Sequence, residues 1–212
     1  MSRATSSPAH IATLLAALLA ASLSAIGGTA VGADTAATLD QIRERARQIE
    51  ETRQILADPD QTVRLAAFEA LAGGDDAMLR EMAIDAGLAS TDQLLRGLAL
   101  RHTVLGLAQL SLTLVADDAA PKPTVERSQA YLEKTGRGWL LVLDGKRSDL
   151  QTGRFGGSRS YETGDVSGLV LTFGYGHYSG ELHLQDDNTL AGTVYYNTGQ
   201  GDHQFKASAP LR

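Results

Sequence analysis

The chain of 212 residues has no cysteine, and only 5% of its residues are aromatic. Without cysteine it can form no disulfide, no cysteine-ligated metal site and no thiol nucleophile. Basic residues are also too few for a protein that binds a phosphate backbone, because the formal net charge is −6, and this argues against nucleic acid as a partner. The remaining composition, 43% hydrophobic and 21% charged, is typical of a folded chain with one or two domains.

The first 33 residues have the pattern of a secretory signal peptide. Arg3 is their only formally charged residue, and an apolar run follows from Ile11 to Ile26. Small residues then lead to predicted cleavage after Ala33, with cleavage after Ala30 as the alternative. The other interpretation is a retained anchor, although the run is shorter than the roughly 20 residues of a spanning helix. The sequence therefore predicts a periplasmic or secreted protein with no membrane span after signal removal.

The segment 34–116 is predicted to be a helical domain. Residues 35–57 have the apolar periodicity of an amphipathic helix. The apolar positions that form this pattern are Leu39, Ile42, Ala46, Ile49 and Leu56. Such a stripe packs either on a neighbouring helix of the same chain or on a second copy in a coiled-coil homodimer.

Three copies of one motif follow at a fixed spacing of sixteen residues. Each begins with an aspartate, Asp60, Asp76 or Asp92, and reads D-x-x-[V/L]-R-x-x-A. An aspartate at this position caps a helix N-terminus, because its carboxylate accepts backbone N–H groups and suits the helix dipole. Sixteen residues form one short helix and a turn, so two units make a helical hairpin.

The segment Asp58–Ala67, which reads DPDQTVRLAA, resembles a HEAT-type repeat, and the resemblance covers about residues 56–104. It implies a stack of antiparallel helices that serves as a scaffold or as a contact surface for a protein partner. We further predict a helix over residues 92–115 that is apolar nearly all round. Such a helix either covers the end of the short array or is buried in an interface.

Residues 117–135 form a predicted linker with a possible short helix, and residues 136–212 an antiparallel β domain. Fourteen of the 22 glycines lie in its first 66 residues, between Gly136 and Gly201. Asp144-Gly145 predicts a hairpin turn, and Asp186–Asn188 predicts another. The predicted strands are Trp139–Leu143, Phe155–Tyr161, Val166–Tyr175, Glu181–Gln185, Thr189–Tyr196 and Gln204–Ala209. The fold class is therefore α+β with two segregated domains, helical repeats followed by a small antiparallel β barrel or sandwich.

The sequence contains no recognised catalytic signature, so we assign no catalytic residue and no cofactor. One metal site is conceivable. Glu181 and His183 are two residues apart on a strand and face the same way, and His177 or His203 would have to fold beside them. The alternative is a polar outer face of a half-exposed strand.

Tyrosines of the β domain are the stronger functional lead. The candidate ligand-binding residues are Tyr175, Tyr178, Tyr195, Asn197 and Glu181. Val194 and Tyr196 share one face of their strand, and Tyr195 lies on the other with Asn197. Exposed tyrosines among amides and carboxylates suit stacking on sugar rings or contact with a protein.

The sequence favours an exported, non-enzymatic binding or scaffold protein. Its helical part would contact a protein partner, and its β domain would contact an envelope glycan or a protein. One alternative is a small exported inhibitor of an envelope hydrolase. A second alternative is a metal-dependent enzyme that uses His177, Glu181 and His183.

Overall fold

The structure is a computed structural model that describes residues 30–199 and 201–211. Contacts divide the chain into two compact units between Glu44 and Arg45. The predicted signal segment lies almost wholly outside the described residues, so its cleavage remains a prediction. Within the described ranges, no helix is both long enough and apolar enough to span a membrane.

The helical region contains the predicted repeat. Its helices are α1 Ala30–Leu56, α2 Gln61–Ala72, α3 Ala77–Leu88 and α4 Gln93–Leu105. Asp60, Asp76 and Asp92 are the N-caps of α2, α3 and α4, and each side chain accepts a backbone N–H two residues on. These contacts satisfy donors that have no partner inside the helix, and they confirm the predicted helix starts.

Arginines of α1 and α2 each join their helix to the second helix after it. The Arg45 guanidinium lies 2.7 Å from a carboxylate oxygen of Asp76, and Arg64 lies 3.1 Å from that of Asp92. Each capping aspartate of α3 and α4 therefore binds its own helix and also a helix that is not its neighbour in sequence. Because the Arg64 and Asp92 side chains are only 21% and 12% exposed, solvent screens this pair less than a surface ion pair.

The prediction of one helix over residues 92–115 is wrong. Helix α4 ends at Leu105, Gly106 follows as its C-cap, and strand β1 begins at Gln109 and ends at Ala116. In β1, buried and exposed residues alternate up to Val115, a period of two that suits a strand with one buried face. The sheet therefore begins inside the predicted helical segment, whereas the predicted short helix is present as α5, Lys122–Thr135.

Among the residues that the structure describes, nine strands form one antiparallel sheet in the order β2-β1-β9-β8-β7-β6-β5-β4-β3. The strands after β1 are β2 Gly138–Val142, β3 Asp144–Asp149, β4 Arg154–Gly156, β5 Thr163–Ser167, β6 Val170–Tyr175, β7 Tyr178–Leu184, β8 Thr189–Asn197 and β9 Asp202–Pro210.

One turn prediction and one strand prediction differ from the structure. Asp144-Gly145 forms no hairpin, because β2 and β3 lie at opposite edges of the sheet. The predicted strand 166–175 is instead part of the hairpin β5–β6, which turns at Gly168 with a φ of +54°, a conformation that glycine adopts without strain. The turn at 186–188 is present, and Asn188 has a φ of +61°.

The sheet is rolled into a half-barrel. Only Leu143 separates β2 from β3, so one bent stretch of chain supplies both edges. Five strand spacings separate β2 from β6, which would be about 24 Å in a flat sheet. The rings of Trp139 on β2 and Phe173 on β6 nevertheless lie 5.3 Å apart. The structure thus confirms the α+β class, with helices followed by a curled antiparallel sheet.

Helices cover parts of the rolled sheet. α4 packs against β5 and β3, and α5 packs against β9 and β1. Arg96 of α4 donates to the Gln185 carbonyl at 2.9 Å and pairs with Asp186 at 3.3 Å. Arg96 on α4 therefore contacts the β7–β8 turn, whereas the arginines on α1 and α2 contact a capping aspartate.

Gly192 marks a close approach of two strands inside the curl. A Cβ atom at this residue would lie 2.0 Å from the Glu181 carbonyl oxygen and 2.9 Å from the Leu182 Cα. Because both neighbours are backbone atoms, they cannot move aside without bending the β7–β8 pair.

We therefore expect Gly192→Ala to lower the free energy of unfolding by about 1–3 kcal/mol, the range found for overpacked sites. Gly174→Ala in β6 is the matched control, because a Cβ there meets nothing within 4 Å. Urea denaturation of both variants measures the difference. Equal stability of the two variants would contradict the close approach.

Candidate functional site

The rolled sheet leaves a cleft of about 450 Å³ between the edge strand β2 and the segment 157–162. We call it the aromatic cleft. It is lined by Tyr131, Trp139, Leu140, Val142, Ser158, Arg159, Glu162, Tyr175, Gly176, His177, Tyr178 and Tyr196. Its position follows from the topology, because segment 157–162 leaves β4 opposite the open side of β2.

The rings in the aromatic cleft stack on one another. Trp139 stacks on Phe173 at 5.3 Å and on Tyr178 at 4.7 Å, measured between ring centroids. Tyr178 stacks in turn on its cross-strand partner Tyr196 at 4.5 Å, and Tyr131 of α5 lies 4.9 Å from Tyr196. Since ring faces meet ring faces, the row offers a ligand mainly ring edges.

The tyrosine hydroxyl groups of this row form hydrogen bonds with one another or with the protein backbone. The Tyr131 and Tyr178 hydroxyls are 2.5 Å apart, and the Tyr175 hydroxyl donates to the Val142 carbonyl at 2.9 Å. Burial raises the pKa of Tyr175 to about 12. Burial, and then the hydrogen bond with Tyr131, raise the pKa of Tyr178. Both phenols therefore stay protonated at neutral pH, and either hydroxyl of the Tyr131–Tyr178 pair can be the donor.

Arg147 of β3 holds the wall of the aromatic cleft. Its Nη1 donates to the carbonyls of Gly157 and Arg159, each at 2.6 Å, and its Nη2 donates to that of Ser160 at 2.9 Å. The Glu162 carboxylate accepts the Arg159 backbone N–H at 2.9 Å. A segment without regular secondary structure is thereby fixed opposite β2.

A second concave site lies on the outer face of the sheet. Tyr195 is 46% exposed there in a groove of about 400 Å³, which we call the Tyr195 groove. Ser179 and Gln204 are its cross-strand neighbours on β7 and β9. The groove is lined by Pro121, Thr124, Ser179, Tyr195, Tyr196, Asn197, Asp202 and Gln204.

The polar groups of the Tyr195 groove are partly fixed. The Asn197 side-chain oxygen accepts the Gly199 N–H at 2.9 Å, and Gln204 donates to the Asp117 carboxylate at 2.6 Å. The groove therefore combines one exposed ring with oriented amide and carboxylate groups.

Candidate ligand-binding residues predicted from the sequence separate into two sites. Tyr195 and Asn197 lie together in the Tyr195 groove, on the face opposite Val194, and Tyr196 borders both this groove and the aromatic cleft. Tyr175 and Tyr178 lie in the aromatic cleft. Glu181 lines neither site and lies on the outer face of β7.

Of the candidate metal ligands, two lie together. Glu181 and His183 are 2.9 Å apart, and both are exposed, while Leu182 and Leu184 between and beside them face the core. His177 is at the β6–β7 turn and lines the aromatic cleft. The described ranges contain no group of three histidine, aspartate or glutamate side chains placed to hold a metal ion.

His203 belongs to the aromatic row instead. Its ring lies 5.5 Å from that of Tyr196 and 5.1 Å from that of Tyr131. Burial lowers the pKa of His203, so the imidazole is neutral at pH 7 and packs as an aromatic group.

Sequence reasoning missed Tyr131, Trp139 and Arg147 as site residues. Tyr131 lies in a helix whose orientation no sequence pattern indicates, and the apolar pattern around Trp139 indicates only a strand. The local signal for Arg147 is weak, since it is one of four polar residues after Asp144-Gly145. Its role depends on carbonyls ten or more residues away.

Comparisons with protein-family models, with curated proteins and with solved structures find no match for this chain in any of the three.

Proposed function

We propose that the protein is a non-enzymatic binding protein whose Tyr195 groove holds a sugar ring of an envelope glycan. The exposed Tyr195 ring in a groove about 400 Å³ in volume carries this proposal. Ligand sites of a few hundred Å³ with a small number of oriented polar groups are typical of small-molecule recognition. Tyrosine is suited to this task because it presents an apolar face together with a hydroxyl.

The surrounding side chains supply matching hydrogen bonds. Sugar hydroxyls both donate and accept, and the groove offers the Asp202 carboxylate, the amides of Asn197 and Gln204, and the hydroxyls of Ser179 and Thr124. These groups surround the exposed ring, so that a ring stacked on Tyr195 brings its hydroxyls to them. Residues 119–212 contain ten acidic and ten basic residues, and this formally neutral region suits sugar rings, which are recognised through hydroxyl groups and need no cationic site.

Two further parts of the proposal concern export and the helices. We propose that residues 1–33 direct the chain to the periplasm or out of the cell, and that the helices contact a protein partner or a second copy. Leu39 and Ile42 on α1 support the second part, since they are 46% and 59% exposed and lie on the apolar stripe of that helix. An exposed apolar stripe on a helix is a common contact surface.

We expect Tyr195→Ala to weaken retention of the full chain on purified peptidoglycan by about tenfold, which corresponds to loss of roughly one stacking contact. Tyr161→Ala is the matched control, because Tyr161 is 56% exposed but lies outside the groove. A cosedimentation assay over a range of peptidoglycan concentrations measures both variants.

Tyr195→Phe keeps the ring and is expected to bind within about threefold of the original chain. If Tyr195→Ala and Tyr161→Ala are retained equally well, the groove is not the glycan site. If the original chain is not retained at all, peptidoglycan is not the ligand.

A further inference from the structure

Strand β2 is an edge strand that pairs with β1 on one side, and among the described residues no strand pairs with its other side. The Arg137 carbonyl accepts from Leu114 at 2.7 Å, and the Leu143 N–H donates to Ala108 at 2.9 Å. In an antiparallel pair the groups of every second residue face the same neighbour. The backbone of Trp139 and Leu141 therefore also faces β1, while that of Gly138, Leu140 and Val142 faces away from it.

Those outward groups face the aromatic cleft. Leu140 and Val142 line it, and the Val142 carbonyl already accepts the Tyr175 hydroxyl, which confirms the direction. Among the described residues no group bonds the N–H or C=O of Leu140 on this side. Unpaired strand groups of this kind are a template for one more strand.

Side chains at this edge are also suited to contact. Leu140 and Val142 are 49% and 39% exposed on the outer face, and Trp139 faces inward toward the ring row. A strand added to β2 would place alternate side chains beside the two exposed aliphatics and toward the ring edges.

We propose that the aromatic cleft binds an extended peptide, which adds to the free side of β2 as a further strand. The main chain of the peptide pairs with Leu140 and Gly138, and one apolar side chain enters the cleft against Trp139 and Tyr178. The class of ligand is an unfolded peptide segment with alternating apolar residues, in the mode known as strand addition.

The structure favours a single segment over a second copy of this chain. Segment 157–162 stands across the cleft from β2 and is fixed by Arg147. The space between them is about 450 Å³, enough for a few residues of one strand. A rolled sheet of another copy could not bring its own edge into that space.

The test titrates the full chain with a fluorescent heptapeptide, acetyl-Gly-Ser-Val-Tyr-Val-Ser-Gly-amide. Versions with N-methyl groups on the odd or on the even residues are measured in parallel. Strand addition predicts that one of these two versions loses binding by about tenfold or more and that the other binds nearly as well as the parent, because only every second N–H faces β2.

Protein variants supply a matched pair. Leu140→Pro removes the outward N–H, and Leu140→Ala removes the same side chain but keeps that N–H. Proline is tolerated where a strand N–H faces away from the ladder. We expect Leu140→Pro to weaken binding by about tenfold, and Leu140→Ala by less than about threefold. If Leu140→Pro does not fold, the comparison of the two N-methylated peptides with the original chain still tests the proposal.

Absence of saturable binding by the parent peptide overturns the proposal, as does equal binding by both N-methylated versions. Sedimentation equilibrium tests the other occupant, because a dimer that Leu140→Pro dissociates would assign this edge to a second copy. Binding of the peptide should not change in Tyr195→Ala, since Tyr195 lies on the opposite face of the sheet.

Discussion

Phe205→Ala is expected to lower the free energy of unfolding by about 3–5 kcal/mol, the range for removing a fully buried phenylalanine. Phe205 is fully buried at the meeting point of three elements. Its strand neighbours are Ala116 of β1 and Val194 of β8, and its ring lies 5.9 Å from that of Tyr131 on α5. Truncation leaves a cavity where β1, β8 and α5 meet, and the rolled backbone cannot collapse into it.

Phe205→Leu is the control for this prediction. It retains most of the buried volume and is expected to cost less than about 1.5–2 kcal/mol. Chemical denaturation followed by tyrosine and tryptophan fluorescence measures both variants. A loss below about 1.5 kcal/mol for Phe205→Ala would mean that the site is not a packed core.

Asp92→Ala is expected to lower the free energy of unfolding by about 2–4 kcal/mol. The cap itself contributes about 1 kcal/mol, because Asp92 accepts the backbone N–H groups of Leu94 and Leu95. Each lost hydrogen bond from Gln61 and Arg64 adds about 0.5–1.5 kcal/mol. The substitution removes one cap and one cross-helix contact together.

Two variants separate these contributions. Asp92→Asn keeps a capping acceptor and removes the charge, so it isolates the interaction with Arg64. Asp60→Ala removes a cap that accepts the Thr62 N–H and, among the described residues, has no cross-helix ion pair, so a smaller loss is expected. Equal losses for Asp60→Ala and Asp92→Ala would contradict the cross-helix role.

The contribution of Asp92 also depends on pH in a defined direction. Burial raises the pKa of Asp92, but hydrogen bonds from Gln61, the Leu95 N–H and Arg64 outweigh it, and the pKa is lowered from 3.8. Because the pKa of Asp92 is lower in the folded than in the unfolded chain, its ionised carboxylate stabilises the fold at pH values above the unfolded pKa of 3.8. This stabilisation is lost as the pH falls through the folded pKa. When the pH falls below about 4, we expect the free energy of unfolding to decrease less in Asp92→Asn than in the original chain.

The helical repeats could be predicted from sequence because each unit carries its own local signals. The capping aspartate, the aliphatic residue three positions on and the fixed spacing all act within one turn of helix, and all three caps are found. The arginine of the motif carries no such local signal. Its partner lies 28 residues away for Arg64, so no local pattern indicates the pair.

The boundary between helices and sheet was misplaced for a physical reason. Leu105, Leu110, Leu112 and Leu114 fit either a helix buried all round or a strand with a period of two. Gly106 ends the helix, and the alternation that follows belongs to β1. Pairing with β2 and β9, which sequence cannot show, decides between the two.

The candidate site was predicted in part. Alternation along β8 places Tyr195 and Asn197 on the outer face, and the structure agrees. The aromatic cleft could not be predicted, because it exists only where the roll of the sheet brings Trp139 of β2 to Tyr178 of β7. The local sequence Asp144-Gly145 is typical of a hairpin turn. In the structure the chain instead bends between β2 and β3, which lie at opposite edges of the sheet.

Hydrogen exchange of the full chain with and without soluble peptidoglycan fragments tests the central claim most directly. If the Tyr195 groove holds the glycan, amides of residues 178–180, 194–197 and 202–204 should exchange more slowly in the complex, and this protection should be lost in Tyr195→Ala. Amides of α2 to α4 should exchange at unchanged rates. Protection confined to residues 61–105, or protection that persists in Tyr195→Ala, would contradict the account.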